Sequence, residues 1–320
     1  MQVHQGLPVG EEAKNCYLAL GNFDGVHRGH RRLITAIKHK ARVGGGPAVV
    51  ITFDPHPALV VDGLHPGLLT PTNRKIELIA ALGIDHLFVL PFTRELATMA
   101  AATFVRQILW THFQPRLVAV GFNFTFGYRG KGTPALLRQL GGELGFRVEV
   151  MAPVTWQGLT VSSTSVRNAL GQGDILLARN LLGYWPVLAG VVAPGDRRGR
   201  DLGFPTANLS VPKELKLPAC GVYACLARCR EQVHQAVVNI GRRPTFGPDL
   251  PATIEAHLLD FEGNLYGREM ELELHAFLRP ERKFASSGEL ITQLREDCAR
   301  ARQLLVAENL LFSQPRDRRA

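Results

Sequence analysis

In LALGNFDGVHRGHRRLI, residues 18–34, two histidines stand three residues apart, His27 and His30, directly after an apolar run and a turn containing two glycines. If a strand ends near Leu20 and a helix begins a few residues later, both rings lie in its first turn and project from one face. A helix N-terminus offers free N–H groups and a partial positive charge. The carboxyl end of a parallel strand is where such sheets bind ligands, so the arrangement reads as a phosphate site. Gly29 between the histidines lets a flat ring approach the backbone closely. Two surface histidines on a turn are the plainer alternative, which the combined pattern disfavours, and a zinc pair lacks a third ligand nearby. A second stretch, FGYRGKGT, invites a P-loop reading and fails it. Lys131 is followed by Gly132 instead of Ser or Thr, and no glycine stands at 125.

Elements must hold these residues in place, and the chain has two textures. Short apolar runs at 16–20, 48–53, 86–91, 117–121 and 147–151 alternate with helical patterns at 29–42, 72–82, 103–113 and 134–144. Strand and helix in turn imply a parallel sheet covered on both faces. After Tyr184 and Pro186, runs at 187–193, 222–228, 233–240, 253–260 and 270–277 follow without helices between them, which reads as a closed antiparallel barrel. A last helix starts at Ser286, capped by its hydroxyl with Glu289 reaching back. It carries Leu290, Leu294, Cys298, Ala301 and Leu305 along one face, which is expected to pack on the barrel. The domain boundary is read near 183–187, giving modules of 1–185 and 186–320.

Composition bounds what the modules do. At 320 residues, with 46% hydrophobic and 20% charged, the chain is expected to form two folded domains. No apolar run reaches the length of a membrane span, and no secretory signal is seen at the N-terminus. Five cysteines without a CxxC argue against a disulfide framework or a zinc site and fit a reducing cytoplasm. The net charge of +9 comes without interleaved aromatics or a nucleic-acid motif, so the expected partners are small anions such as nucleotides, not nucleic acid or membrane. A monomer or weak homo-oligomer is expected.

GNFDGVHRGH resembles the GxFDxxHxGH signature of nucleotidylyltransferases, and the rest of the chain resembles the prokaryotic bifunctional riboflavin kinase and FAD synthetase family. FDPHP, VGFNFTFG and SSTSVR follow in the family's order, then GRDLGFPTANL, GVYA, NIGRRPTF and IEAHLLDFEGNLYG. The match covers about residues 15–305. The resemblance implies an N-terminal Rossmann-like nucleotidylyltransferase domain with a parallel sheet. It also implies a C-terminal antiparallel β-barrel riboflavin kinase domain with a terminal helix.

For the first module the resemblance implies transfer of AMP from ATP to FMN with release of pyrophosphate. No protein nucleophile is needed, because the FMN phosphate attacks. His27, His30 and Arg167 then count as catalytic, with the histidines donating to the ATP phosphates. Ser163 and Thr164 join Arg167 in holding the β and γ phosphates, although SSTSVR alone reads equally as a helix cap. Gly21, Phe23, Asp24, Gly29 and Asn123 fall among the nucleotide-binding positions, and His56, held between two prolines, is read as a ligand contact.

For the second module the resemblance implies transfer of the γ phosphate of ATP to the 5′-hydroxyl of riboflavin. Thr206 and Asn208 offer hard oxygens for magnesium or manganese shared with ATP, and Glu255 matches the family's catalytic base. Gly195, Gly199 and Gly203 flank Arg197, Arg198 and Arg200 in what reads as a phosphate-covering loop, with Gly195, Gly199, Arg200, Gly203 and Arg279 among the binding positions. Pro194 stands where the family usually has histidine. ATP, riboflavin and FMN are the implied substrates. Two other readings carry weight: a riboflavin kinase with a regulatory nucleotide-binding first domain, and an RNA-interacting protein related to aminoacyl-tRNA synthetases. The second predicts a lysine-rich signature that this chain lacks.

Overall fold

The computed structural model describes residues 1–61, 67–195, 199, 202–230, 232–241 and 252–312, the side chains of 307–312 excepted. Arg197, Arg198 and Arg200, and most of NIGRRPTF, lie outside the described residues. The chain divides into two units, Met1–Ser163 and Thr164–Arg319.

The first unit is built on six parallel strands: β1 (Gln2–Gln5), β2 (Tyr17–Leu20), β3 (Ala48–Asp54), β4 (His86–Pro91), β5 (Leu117–Gly121) and β6 (Arg147–Met151). Their order across the sheet is β1-β4-β3-β2-β5-β6. From β2 the chain steps outward through β3 and β4 on one side, then returns to β5 and β6 on the other. The direction therefore reverses beside β2, and the carboxyl ends there form the crevice in which such sheets bind ligands. Leu18, Ala19, Leu20, Val49, Val50, Ile51, Val118 and Val120 are buried, as sheets covered on both faces require.

The covering helices are α1 (Arg28–Gly44), α2 (Pro57–Val61), α3 (Thr72–Ala80), α4 (Arg94–Thr98), α5 (Ala101–Thr103), α6 (Thr111–Phe113) and α7 (Pro134–Leu144). Helix α1 buries Leu33, Ile34, Ile37 and Ala41 along one stripe and ends at Gly45 in the left-handed conformation. The helix expected over 103–113 is a composite. Between α5 and α6, Phe104–Trp110 winds as π-helix, whose wider turn puts Phe104 and Leu109, five residues apart, on the same buried side. Strand β1 was not foreseen, because QVHQ shows no apolar alternation. It is held at the edge by His4, which stacks on Phe88 at 4.3 Å and meets His86 at 3.1 Å.

The second unit opens at Thr164 in α8 (Ser163–Gly171) and continues through α9 (Ile175–Leu182), upstream of the boundary expected near 183–187. Six antiparallel strands follow: β9 (Val187–Ala193), β10 (Ala207–Ser210), β11 (Gly221–Cys229), β12 (Gln232–Gly241), β13 (Thr253–Leu258) and β14 (Glu269–Arg279), numbered after a small hairpin of β7 (Thr155–Trp156) and β8 (Leu159–Thr160) in the first unit. They close as β10-β13-β12-β11-β14-β9, with β9 paired to β10. Five of these strands were expected. The sixth, β10, is only four residues long and lies within the GRDLGFPTANL motif. Helix α9 joins the barrel through Trp185, which packs against His275 at 4.3 Å with Arg179 over its ring at 4.1 Å.

The last helix, α10 (Ser287–Phe312), has the expected cap. The Glu289 N–H donates to Ser286 Oγ at 3.2 Å, and the Ala285 N–H donates to Glu289 Oε2 at 3.1 Å. Ala301 and Leu305 pack with Val222, Ala224, Val237, Leu259 and Leu278 of the barrel.

Candidate active sites

In the first unit the turn from β2 into α1 is tightly wound. Phe23, Gly25 and Val26 all have positive φ, at 51°, 80° and 34°. For a β-branched residue such as Val26 this conformation costs on the order of 1–3 kcal/mol and persists only where the surroundings impose it. Here they do. Val26 is fully buried, and the buried Asp24 carboxylate accepts from the N–H groups of Leu69 at 2.9 Å and Thr70 at 3.2 Å. Ser163 Oγ donates to the Asp24 carbonyl at 2.9 Å. Asp24 therefore organises the turn, and Ser163 is tied to the same residue.

The strained turn delivers the two histidines in contact. His27 is the N-cap of α1, its Nδ1 accepting the His30 N–H at 3.3 Å, and the two rings stack with centroids 3.6 Å apart. Because Nδ1 accepts, a neutral His27 carries its proton on Nε2. The flat ring that crowds Gly29 is that of His27, since a Cβ at Gly29 would lie 3.1 Å from its Cε1. Phe23 stands edge-on beneath His30 at 5.2 Å and packs against Gly21, where a Cβ would come within 3.2 Å of its ring. Burial first, then His27 and Lys75, hold the His30 imidazole well below its ordinary range, so it is neutral at physiological pH. Its Nδ1 is buried without a hydrogen-bond partner among the described residues.

Around this pair the structure gathers some of the other sequence candidates. His56 follows β3 and caps α2, its Nδ1 accepting the Ala58 N–H at 3.2 Å. Asn123 is exposed just past the end of β5. Both lie at carboxyl ends of strands, on the side of the sheet that carries His27. Thr164 and Arg167 follow Ser163 in α8, in the second unit. One side chain near the histidines escaped the sequence reading. Lys75 of α3 is buried, donates to the carbonyls of Phe53 at 2.9 Å and Asn22 at 3.4 Å, and is drawn below the usual lysine range by burial. The available signal was its place on the buried stripe of α3 with Leu78 and Ile79.

In the second unit the candidates form a row across three strands. Asn208 of β10 stands opposite Glu255 of β13, and Glu255 stands opposite Asn239 of β12. Directly opposed residues point to the same face, so two amides flank the carboxylate. Thr206 precedes the row by two residues. Asn239, whose Nδ2 donates to Glu281 Oε1 at 3.4 Å, was not singled out from the sequence. Gly195 and Gly199 lie close above the row. A Cβ at Gly195 would collide with the Asn208 amide, and one at Gly199 would come within 3.4 Å of Thr206 Oγ1. Gly203 has φ +83° and bounds the same loop. Arg279 lies at the end of β14, its guanidinium engaged with the buried Asp297 of α10 at 2.8–3.1 Å.

A divalent ion fits this donor set. Thr206 and Asn208 supply neutral hard oxygens, too few to complete a site alone and suited to an ion shared with phosphate oxygens and water. The cradle filled by any Cβ at Gly195 brings backbone close to them.

The FAD synthetase family model matches residues 9–165 and the riboflavin kinase family model residues 182–305. A bifunctional riboflavin kinase/FMN adenylyltransferase of Listeria monocytogenes is 37% identical over 286 residues, spanning 88% of this chain and 90% of that protein. The protein of the same name from Bacillus subtilis is 38% identical over 295 residues, spanning 90% and 92%. Among solved structures, a Streptococcus pneumoniae protein described as a macrolide-efflux protein superposes with a TM-score of 0.84 at 27% identity, over 94% of this chain and 98% of that one. No helix among the described residues is long and apolar enough to cross a membrane.

Proposed function

The chain belongs to the bifunctional riboflavin kinase/FMN adenylyltransferase family, and on that premise we propose the chemistry that each set of residues performs. The second unit transfers the γ phosphate of ATP to the 5′-hydroxyl of riboflavin. The first transfers AMP from a second ATP to the resulting FMN. The observation that carries the reading is the stacked His27–His30 pair at the N-terminus of α1, set at the carboxyl end of β2 where the sheet order reverses.

In adenylyl transfer a phosphate oxygen of FMN attacks the α phosphorus of ATP, and the bond to the β,γ-pyrophosphate breaks. The nucleophile arrives already ionised, so the protein needs no base and acts by positioning and by meeting charge on the leaving group. His27 and His30 each offer an N–H for that charge, His30 from a neutral ring, beside the free N–H groups of the helix terminus. Thr164 and Arg167 are assigned to the β and γ oxygens on the motif alone, while Ser163, whose hydroxyl proton goes to the Asp24 carbonyl, holds the turn. Gly21, Phe23, Asp24 and Gly29 shape the turn, while His56 and Asn123 contact the ligands.

In the kinase step Glu255 accepts the 5′-hydroxyl proton as its oxygen attacks the γ phosphorus, and ADP leaves. Asn208 and Asn239, standing on either side of it, fix the carboxylate's orientation. Thr206 and Asn208 hold the magnesium or manganese ion, which when bound offsets phosphate charge. Gly195, Gly199 and Gly203 lie where the motif places the phosphates, and Arg279 braces the strand end from which the loop 280–286 departs. All five cysteines are thiols, which suits the reducing cytoplasm in which we place both reactions. The working form is a monomer or weak homo-oligomer. Incubation with riboflavin, ATP and magnesium, with flavins resolved by chromatography, should yield FMN first and FAD after it. FMN that never proceeds to FAD, under any metal or redox condition, would leave only a kinase.

A further inference from the structure

We propose that Lys75 is a positioning residue of the adenylyl-transfer site, its ammonium clamping together the two strand ends from which the His27–His30 turn and the His56 loop depart. The inference rests on the adenylyl-transfer reading and deepens it. Lys75 Nζ donates to the carbonyl of Phe53, the first residue of FDPHP and the last but one of β3, at 2.9 Å. It also donates at 3.4 Å to the carbonyl of Asn22, inside GNFDG, which accepts Thr52 Oγ1 at 2.9 Å as well. One buried side chain thus spans both ligand-bearing segments at the carboxyl ends of neighbouring strands.

The choice of residue is costly for packing alone. Lys75 is 6% exposed on a helix face shared with Leu78 and Ile79, where a methionine would fill the space without taking a charge out of water. Three titratable groups face its charge. Asp24 from the turn and Asp54 from the end of β3 favour it, and it acts in turn on His30 of α1, whose stacked partner is His27. A cation beside His30 favours the neutral imidazole, so Lys75 adds to burial and His27 in keeping that ring neutral. The clamp and the charge act on the same ring. The strained Phe23–Val26 turn explains why it is clamped from below, because such a backbone relaxes unless its ends are held.

Lys75→Met, Lys75→Arg and the native protein, all at full length, decide the matter through FMN adenylylation measured against pH, with thermal melts alongside. In Lys75→Met, kcat for FAD formation is expected to fall by about 10- to 100-fold, the scale of misplaced reacting groups, with KM for ATP changed less than about 3-fold. The acid limb of its kcat/KM profile should move to higher pH, because His30 no longer has a cation beside it. Lys75→Arg keeps the charge and should keep the native acid limb. A purely structural lysine would lower melting temperature and rate without moving that limb. Native rate and native acid limb in Lys75→Met overturn the proposal, as does an Arg variant that shifts like the Met variant. If Lys75→Met fails to fold, Lys75→Gln takes its place in the same comparison, and a native rate with a native acid limb in that variant overturns the proposal. Absence of FAD formation by the native protein would instead strike the underlying reading.

Discussion

Replacing His30 by alanine and Glu255 by glutamine should give a crossed pattern, and the structure limits how large each effect can be. In His30→Ala the backbone N–H of residue 30 still reaches His27 Nδ1, now at 3.3 Å, so His27 keeps its orientation and its Nε2 proton. What is lost is one imidazole donor, worth about 2.7–4 kcal/mol at the transition state, or roughly 100- to 1000-fold in FAD formation. The lost stack with His27 and edge contact with Phe23 cost about 1–3 kcal/mol of stability together, partly offset because a desolvated ring is removed. Glu255→Gln keeps the side chain's shape opposite Asn208 and Asn239 but cannot take a proton, so riboflavin phosphorylation should fall by about 100- to 10,000-fold. Each variant should retain the other's reaction, followed by chromatography of FMN made from riboflavin and of FAD made from supplied FMN. A kinase step lost in His30→Ala, or kept intact in Glu255→Gln, refutes the assignment of roles, provided both variants melt near the native temperature.

Three further outcomes follow from the packing. Asp297→Ala leaves the Arg279 guanidinium partly buried without its partner and should cost about 3–5 kcal/mol in denaturant unfolding of the second unit, and a loss under 1 kcal/mol would show that the pair is solvated. A fragment beginning at residue 164 should melt like the intact kinase unit and phosphorylate riboflavin, whereas one beginning at 186 should melt lower. The shorter fragment loses buried Ala178, Leu181, Leu182 and Trp185, and equal melting would place the true boundary after α9. His86, like His30, is held below the ordinary imidazole range, by burial first and then by His4, so the unfolded chain binds a proton near pH 6 that the folded one does not. Stability of the first unit is therefore full at neutral pH and falls as pH drops below about 6.5. His86→Gln should flatten that fall in calorimetry, and an unchanged slope would count against it.

Regular elements were legible because their burial is periodic. The apolar runs of β2 to β6 and the stripe of α1 need no tertiary information, and the cap at Ser286 is local chemistry. Elements stabilised by partners instead of pattern were not legible. QVHQ becomes β1 only because His4 finds Phe88 and His86, some eighty residues away, and ANLS becomes β10 only because β9 and β13 bracket it. The π segment is invisible to a 3.6-residue period by definition. At the sites, the sequence offered the reactive groups and their order, while Asn239 surfaced only from strand register and Lys75 from its hydrogen bonds to the carbonyls of Phe53 and Asn22. Asp24 was legible as a motif residue but not as the carboxylate that holds Leu69 and Thr70.

The two units handle phosphate differently, and the difference follows from their nucleophiles. FMN presents an ionised phosphate, so the first site can be built from neutral donors and buried imidazoles. A carboxylate placed there would repel both reactants, and the acidic side chain of the turn, Asp24, is accordingly turned to backbone N–H groups. Riboflavin presents an alcohol, which must lose its proton as it attacks, so the second site needs an acceptor, and Glu255 stands on a rigid strand between two amides that add no charge. A carboxylate beside ATP is tolerable only if a cation stands with the phosphates. On the proposed reading that cation is shared with the oxygens of Asn208, opposite Glu255, and of Thr206, two residues before it. One chain can run both reactions because neither solution is imposed on the other's site.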